Sequence, residues 1–275
     1  MDREEYIKEG LNRHLEEFQS TYPNLELMCI CLQGSQNYGL DIYTDEYKSD
    51  IDTKAIVIPS LEDVVMNKKP VSTTHVLPNN EHLDIKDIRL YFESFKKQNI
   101  NFVEILFTDF YLVNPKYKDW WESLLYFRED IAHYNRNAAL RCMAGMSMEK
   151  KKALCHPYPS LIDKIEKYGY DGKQLHHIIR MYNFITCYAL NGTYEECLKF
   201  LPQKEEMMKA KRSEYTLEEA LEMANRFDFF TKYIKDINVT EQDEINKTAL
   251  KVLNDVQYEA IKRKIKSDII EEESE

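Results

Sequence analysis

Two short apolar runs, each meeting a polar hinge, restrict what this chain can build more than any other feature. Leu25–Leu32 (LELMCICL) has the length and composition of a strand and delivers Gly34-Ser35 at its end. Thr53–Ile58 (TKAIVI) is a second such run, stopped by Pro59 and preceded by Ser49-Asp50-Ile51-Asp52. Carboxylates spaced by two in an extended chain project to one face, roughly 7 Å apart at the backbone. Both can then reach a shared pair of divalent cations roughly 4 Å apart, an arrangement suited to in-line displacement at phosphorus. A small-residue turn just before them lets backbone N–H groups come close to phosphate oxygens. Each half alone is commonplace, the first as a simple turn and the second as a solvated surface segment. Apolar Ile51 between the acids, and strands on both sides, turn the combination toward a site.

The order apolar-Gly-Ser, spacer, Asp-apolar-Asp resembles the signature of the DNA polymerase β-type nucleotidyltransferase superfamily. The fuller stretch GSQNYGLDIYTDEYKSDIDTKAIVIPS is similar to the RNA-ligase-associated and phage-encoded nucleotidyltransferases, which carry GSxxYG…SDID. The spacer with Asp41, Tyr43, Asp45 and Glu46 is a few residues longer than usual there. The resemblance implies a third acid on a later strand. Thr73–Leu77 and His82–Ile88 flank Pro78-Asn79-Asn80-Glu81, which predicts a hairpin, and Asp84 lies between Leu83 and Ile85. Asp87 competes, but Asp87-Ile88-Arg89 reads as a helix start with Asp87 as N-cap. Asp84 is therefore the expected third acid. Lys54 shares the face of Asp52 and either touches a phosphate or forms a surface salt bridge; Tyr38 either stacks on a base or packs.

Further along, Tyr168–Arg180 (YGYDGKQLHHIIR) starts a helix with Asp171 as N-cap, and Asn191-Gly192 stops it. Lys173, His177 and Arg180 form a stripe away from Leu175, Ile178, Ile179, Tyr182 and Ile185. Spacing alone fits a solvated face and a site equally well. The same nucleotidyltransferases carry Gly-Tyr-Asp-x-Lys-x-x-x-His-x-x-Arg, matched here by Gly169, Tyr170, Asp171, Lys173, His177 and Arg180. The resemblance thus implies that this stripe binds triphosphate oxygens, Arg180 by its planar fork and Lys173 as a point charge. Adjacent His176 and His177 diverge by about 100° on a helix and make a poor zinc pair.

Composition fits these expectations. The charged opening MDREEYIKEG lacks the apolar core of a signal peptide, and no apolar stretch is long enough to span a bilayer. Six scattered cysteines without a Cys-x-x-Cys pair fit reduced thiols, so a cytoplasmic protein with no membrane partner is expected; bacterial or phage origin is what the resemblance implies. A net charge of −11 opposes nonspecific attraction to nucleic acid. Residues 3–18 form an amphipathic helix with Ile7, Leu11, Leu15 and Phe18 on its apolar face. Helices are expected at 87–98, 126–154, 172–190, 194–200, 217–234 and 241–265, Pro115 is the expected hinge, and the aromatic cluster at 107–121 reads as interdomain packing.

The resemblance implies an α+β fold: a small mixed β-sheet with flanking helices over residues 1–115, then an α-helical domain over 116–275 that closes a nucleotide cleft. It implies transfer of a nucleoside monophosphate from a nucleoside triphosphate, ATP expected, to a hydroxyl acceptor such as an RNA end, a small metabolite or a protein. Asp50, Asp52 and Asp84 are the implied catalytic and metal-binding residues for two Mg²⁺ ions, with Mn²⁺ as a substitute. Gly34, Ser35, Ser49, Lys173, His177 and Arg180 are the implied nucleotide-binding residues. The alternative is a non-catalytic nucleotide- or protein-binding module, antitoxin-like, on the same fold.

Overall fold

In the computed structural model, residues 2–274 are described, except for the side chains of Glu272 and Ser274. The chain opens with α1 (Arg3–Thr21), capped by Asp2, and enters β1 (Glu26–Gln33). There follow β2 (Asp52–Ile58), α2 (Leu61–Val65), β3 (Ser72–Val76), β4 (His82–Asp87), α3 (Ile88–Lys96), α4 (Ile100–Val103), β5 (Tyr111–Val113), α5 (Lys118–Tyr126) and α6 (Arg128–Ala132). The five strands form one mixed sheet in the order β3-β4-β2-β1-β5. β1 pairs antiparallel with β2 and β5, β4 runs parallel to β2, and β3 and β4 make the expected antiparallel hairpin.

Strand alternation divides the sheet into two faces. Ile30, Ala55, Val57, Leu83 and Ile85 are buried together with Phe18 of α1. Ile7 and Leu11 continue that contact onto Leu32 and Ile51. Asp52 and Lys54 on β2, and Asp84 and Lys86 on β4, therefore point to the opposite face. On α1 the buried set is Ile7, Gly10, Leu11, His14 and Phe18, so His14, not Leu15, completes the inner stripe.

A second group of helices comprises α7 (Arg136–Ala153), α8 (Ile162–Tyr168), α9 (Gly172–Ala189), α10 (Tyr194–Lys199), α11 (Lys204–Lys211) and α12 (Leu217–Asn238). Here α9 is central, packed on by α7, α10, α11 and α12. The chain then ends in α13 (Lys247–Ser274).

The compact units are residues 1–134 with 245–275, and 135–244, so the division does not fall at Pro115. The reason is long-range: α13 returns to the sheet unit. Arg263 lies 4.2 Å over the Trp120 ring and donates to Lys116 O at 2.5 Å. Asp268 accepts the Leu61 N–H at 2.8 Å. Tyr111, Tyr117, Trp120 and Trp121 pack within this first unit rather than between domains. The expected helix 126–154 is broken at Tyr134-Asn135, where Asn135 caps α7. No disulfide joins the described cysteines, and no helix among the described residues is long and apolar enough to cross a membrane.

Candidate functional site

β1 ends at Gly34, whose φ of 102° lies in a region that L side chains rarely adopt. One 3₁₀ turn, Ser35–Tyr38, follows and is closed by left-handed Gly39. Asn37 ties this turn to the strand by donating to Leu32 O at 3.0 Å, while accepting from the Thr108 hydroxyl at 2.6 Å. Tyr38 is buried, so it packs under the turn. The long spacer is fastened to α1: Arg3 donates to both carboxylate oxygens of Asp41, at 2.8 and 2.9 Å, and to Gln36 O at 2.7 Å.

The register Gln33↔Asp52 brings the next segment beside that turn. Gln36 Nε2 donates to Asp50 O at 2.5 Å, joining the Gly-Ser motif directly to the acid pair. The Ser49 backbone N–H donates to Ile42 O at 2.8 Å, and the Ile42 N–H donates to the Ser49 hydroxyl at 2.9 Å. Ser49 thus shapes the loop. Asp50 lies just before β2 and is exposed; Asp52 is the first residue of the strand and half-buried. The Asp52 carboxylate accepts the His82 backbone N–H at 2.9 Å, with His82 Nδ1 at 3.2 Å.

Asp84 shares the face of Asp52, but the parallel register pairs it with Lys54. The Lys54 ammonium, nearly buried, donates to Asp84 at 2.7 Å. This ion pair joins a buried ammonium to a half-buried carboxylate. Lys54 and Lys86 also lie 4.2 and 4.1 Å from the Phe102 ring centre. Burial lowers the Lys86 ammonium below its ordinary value, with Asp84 opposing that shift and Lys54 adding to it. Among the described residues no three His, Cys, Asp or Glu side chains converge as a ready-made metal cluster. Asp50, Asp52 and Asp84 therefore share a neighbourhood and an all-oxygen donor chemistry, which suits Mg²⁺ or Mn²⁺, without converging on one point. Asp87 is the N-cap of α3, accepting from Arg89 N at 2.8 Å and ion-paired to the same arginine.

Beneath the acid segment lies a polar cluster that the sequence pattern did not single out. Glu81, 3 % exposed, accepts the Ile51 N–H at 3.2 Å, Arg13 Nη2 at 2.6 Å and meets His14 Nε2 at 3.0 Å. The other nitrogen of His14 lies 2.7 Å from the Thr53 hydroxyl. Burial raises the Glu81 carboxyl, but hydrogen bonds from His14, Arg13, Asn79 and Ile51 outweigh it and hold the group at about 2. The available signal was a lone histidine on the apolar stripe of α1.

In the second unit, Asp171 caps α9 as expected, accepting from Lys173 N at 3.1 Å. Lys173 is exposed, His177 half-buried and Arg180 buried, so the stripe is not a uniformly solvated face. Burial, then the positive charges around it, including Arg180, Lys150 and Lys173, push His177 well below the ordinary histidine value. Burial also lowers His176, to about 4, and its Nδ1 donates to Met207 O at 3.0 Å. Gly172 is required by packing, since a Cβ there would lie 2.0 Å from Ala210 O on α11.

No family model matches the chain, and no curated protein matches it. Among solved structures, a nucleotidyltransferase-like protein from Exiguobacterium sibiricum 255-15 is similar at 13 % identity and a TM-score of 0.29, over 83 % of this chain and 74 % of that one. At that TM-score the likeness carries no argument.

Proposed function

We propose that this chain is a Mg²⁺-dependent nucleotidyltransferase that moves a nucleoside monophosphate from a nucleoside triphosphate, expected to be ATP, to a hydroxyl acceptor with release of pyrophosphate. The observation that carries the reading is the Gln33↔Asp52 register: it sets the Gly34-Ser35 turn next to Asp50 and Asp52 at one end of one sheet. In this reading Asp50, Asp52 and Asp84 hold two divalent ions, for which Mn²⁺ can substitute. When bound, the ions supply charge neutralisation at the transferring phosphoryl group and an acidified acceptor hydroxyl. Gly34 and Ser35 offer backbone and hydroxyl donors to the β and γ phosphates. Ser49 and Gln36 hold the acid loop against that turn. Asp84 accepts the acceptor proton, and Lys54, released from Asp84, takes a phosphate oxygen as its new partner. Lys173, His177 and Arg180 enter as triphosphate ligands through the family resemblance.

The acceptor is an RNA end, a small hydroxylated metabolite or a protein side chain; a net charge of −11 weighs against long polyanions. One observation favours a second reading. The Lys54–Asp84 pair satisfies the third acid with a lysine, as a non-catalytic nucleotide- or protein-binding module could. The test is incubation with each α-labelled triphosphate, Mg²⁺ and total RNA, metabolite or protein extract. Label on one acceptor class, lost with Asp52→Asn, supports transfer. Tight triphosphate binding with no label in any pool supports the binding module.

A further inference from the structure

The buried cluster under the acid segment touches that segment at two points. Glu81 Oε1 accepts the N–H of Ile51 at 3.2 Å, and His14 reaches the hydroxyl of Thr53 at 2.7 Å. Ile51 and Thr53 flank Asp52. In the tautomer that donates from Nε2 to Glu81, the His14 Nδ1 accepts from Thr53, so one imidazole joins both tethers. Arg13 anchors the other carboxylate oxygen of Glu81, placing two consecutive residues of α1 on it.

Close packing completes the device. A Cβ on Gly10 would lie 2.8 Å from the Ile51 side chain, so α1 approaches Ile51 as only glycine allows. Ile51 is fully buried with Ile7 and Leu11. The contacts that this cluster makes with the acid segment are made through Ile51 and Thr53, so it holds the backbone on either side of Asp52.

We infer that Glu81, with His14 and Arg13, is a positioning residue that fixes the backbone of Asp50–Asp52 from the α1 side and so presets the two candidate metal-binding carboxylates. The role rests on the nucleotidyltransferase reading, but the support itself is measurable without it. A buried carboxylate is suited to this task because a charge-assisted bond to a backbone N–H holds more firmly than a neutral one. The surrounding β-sheet does not supply this bond, since Ile51 lies outside β2.

The test uses the full chain with Glu81→Ala, Glu81→Gln and Glu81→Asp, read by hydrogen exchange at residues 49–53 and by Mn²⁺ titration without nucleotide. Glu81→Ala removes the acceptor of Ile51, and exchange at 49–53 is expected to rise by about tenfold or more while β3 and β4 stay protected. Mn²⁺ affinity is expected to fall by about tenfold in the folded variant. Glu81→Gln keeps an oxygen in place and is expected to restore most of both quantities. Should Glu81→Ala fail to fold, Glu81→Asp keeps the charge but withdraws it from Ile51, and the same local rise is expected. Unchanged exchange at 49–53 in the shortened variants would overturn the inference, as would a rise spread evenly over the whole sheet. Wild-type protein that takes up no Mn²⁺ would instead contradict the nucleotidyltransferase reading, and the exchange arm then decides the support alone.

Discussion

Asp52 holds the His82 backbone N–H through Oδ1, and an asparagine in its place keeps that acceptor while losing the charge. Asp52→Asn, and likewise Asp50→Asn at its exposed position, should leave the melting temperature nearly unchanged yet abolish transfer and weaken divalent binding. Label-transfer assays and Mn²⁺ titration check this; full transfer activity in either purified variant would remove both residues from the site. Glu81 gives a prediction in stability. Its carboxyl is held at about 2, below its ordinary value near 4.5, so its contribution is complete above 4.5 and is lost as pH falls toward 2. A shift of that size corresponds to on the order of 3 kcal/mol. Urea midpoints between pH 6 and pH 2 should therefore drop more steeply in wild type than in Glu81→Gln, and equal slopes would contradict it. At this scale the caps were legible, because Asp87 and Asp171 satisfy local N–H groups within their own helices. The Lys54–Asp84 pair was not, because it depends on which strand neighbours which, and on register.

Between Asp84 and Asp87 the difference is one of element. Asp87 ends β4 and caps α3, so Asp87→Ala should cost about 1 kcal/mol and leave turnover largely intact. Asp84→Ala should abolish turnover and also cost stability, because it leaves the nearly buried Lys54 ammonium without its carboxylate; the activity assay separates the two, and turnover kept in Asp84→Ala but lost in Asp87→Ala would exchange their roles. For α9, Arg180→Ala should weaken triphosphate binding about tenfold to a hundredfold. Lys173→Ala at its exposed position should weaken binding with little loss of stability. Bare nucleoside should bind both variants as it binds wild type; isothermal titrations showing equal losses for nucleoside and triphosphate would return the stripe to a structural role. Elements with strong periodicity, such as β1, β2, the β3–β4 hairpin and α9, were readable locally. β5 was hidden because three residues, Tyr111-Leu112-Val113, are too few to show a period, and its place at the edge of β1 is set by pairing alone.

For the molecule as a whole, local composition could not reveal that α13 rejoins the sheet unit, since contacts such as Leu61–Asp268 link opposite ends of the chain. Pro115 read as a hinge because proline punctuates chains; here it starts a 3₁₀ turn inside the first unit. The mixed α+β class was nonetheless legible, because the strand-like runs are concentrated early and the helical periods late. The proposed function puts one nucleotide–metal site at the turn after β1 and the acids at the start of β2. Crystals grown with a non-hydrolysable ATP analogue and Mn²⁺, measured for anomalous scattering, test it most directly. Mn²⁺ peaks are expected at the carboxylates of Asp50 and Asp52, with the β and γ phosphates on the Gly34-Ser35 turn. Mn²⁺ absent from those carboxylates, or a triphosphate bound away from that turn, would contradict it.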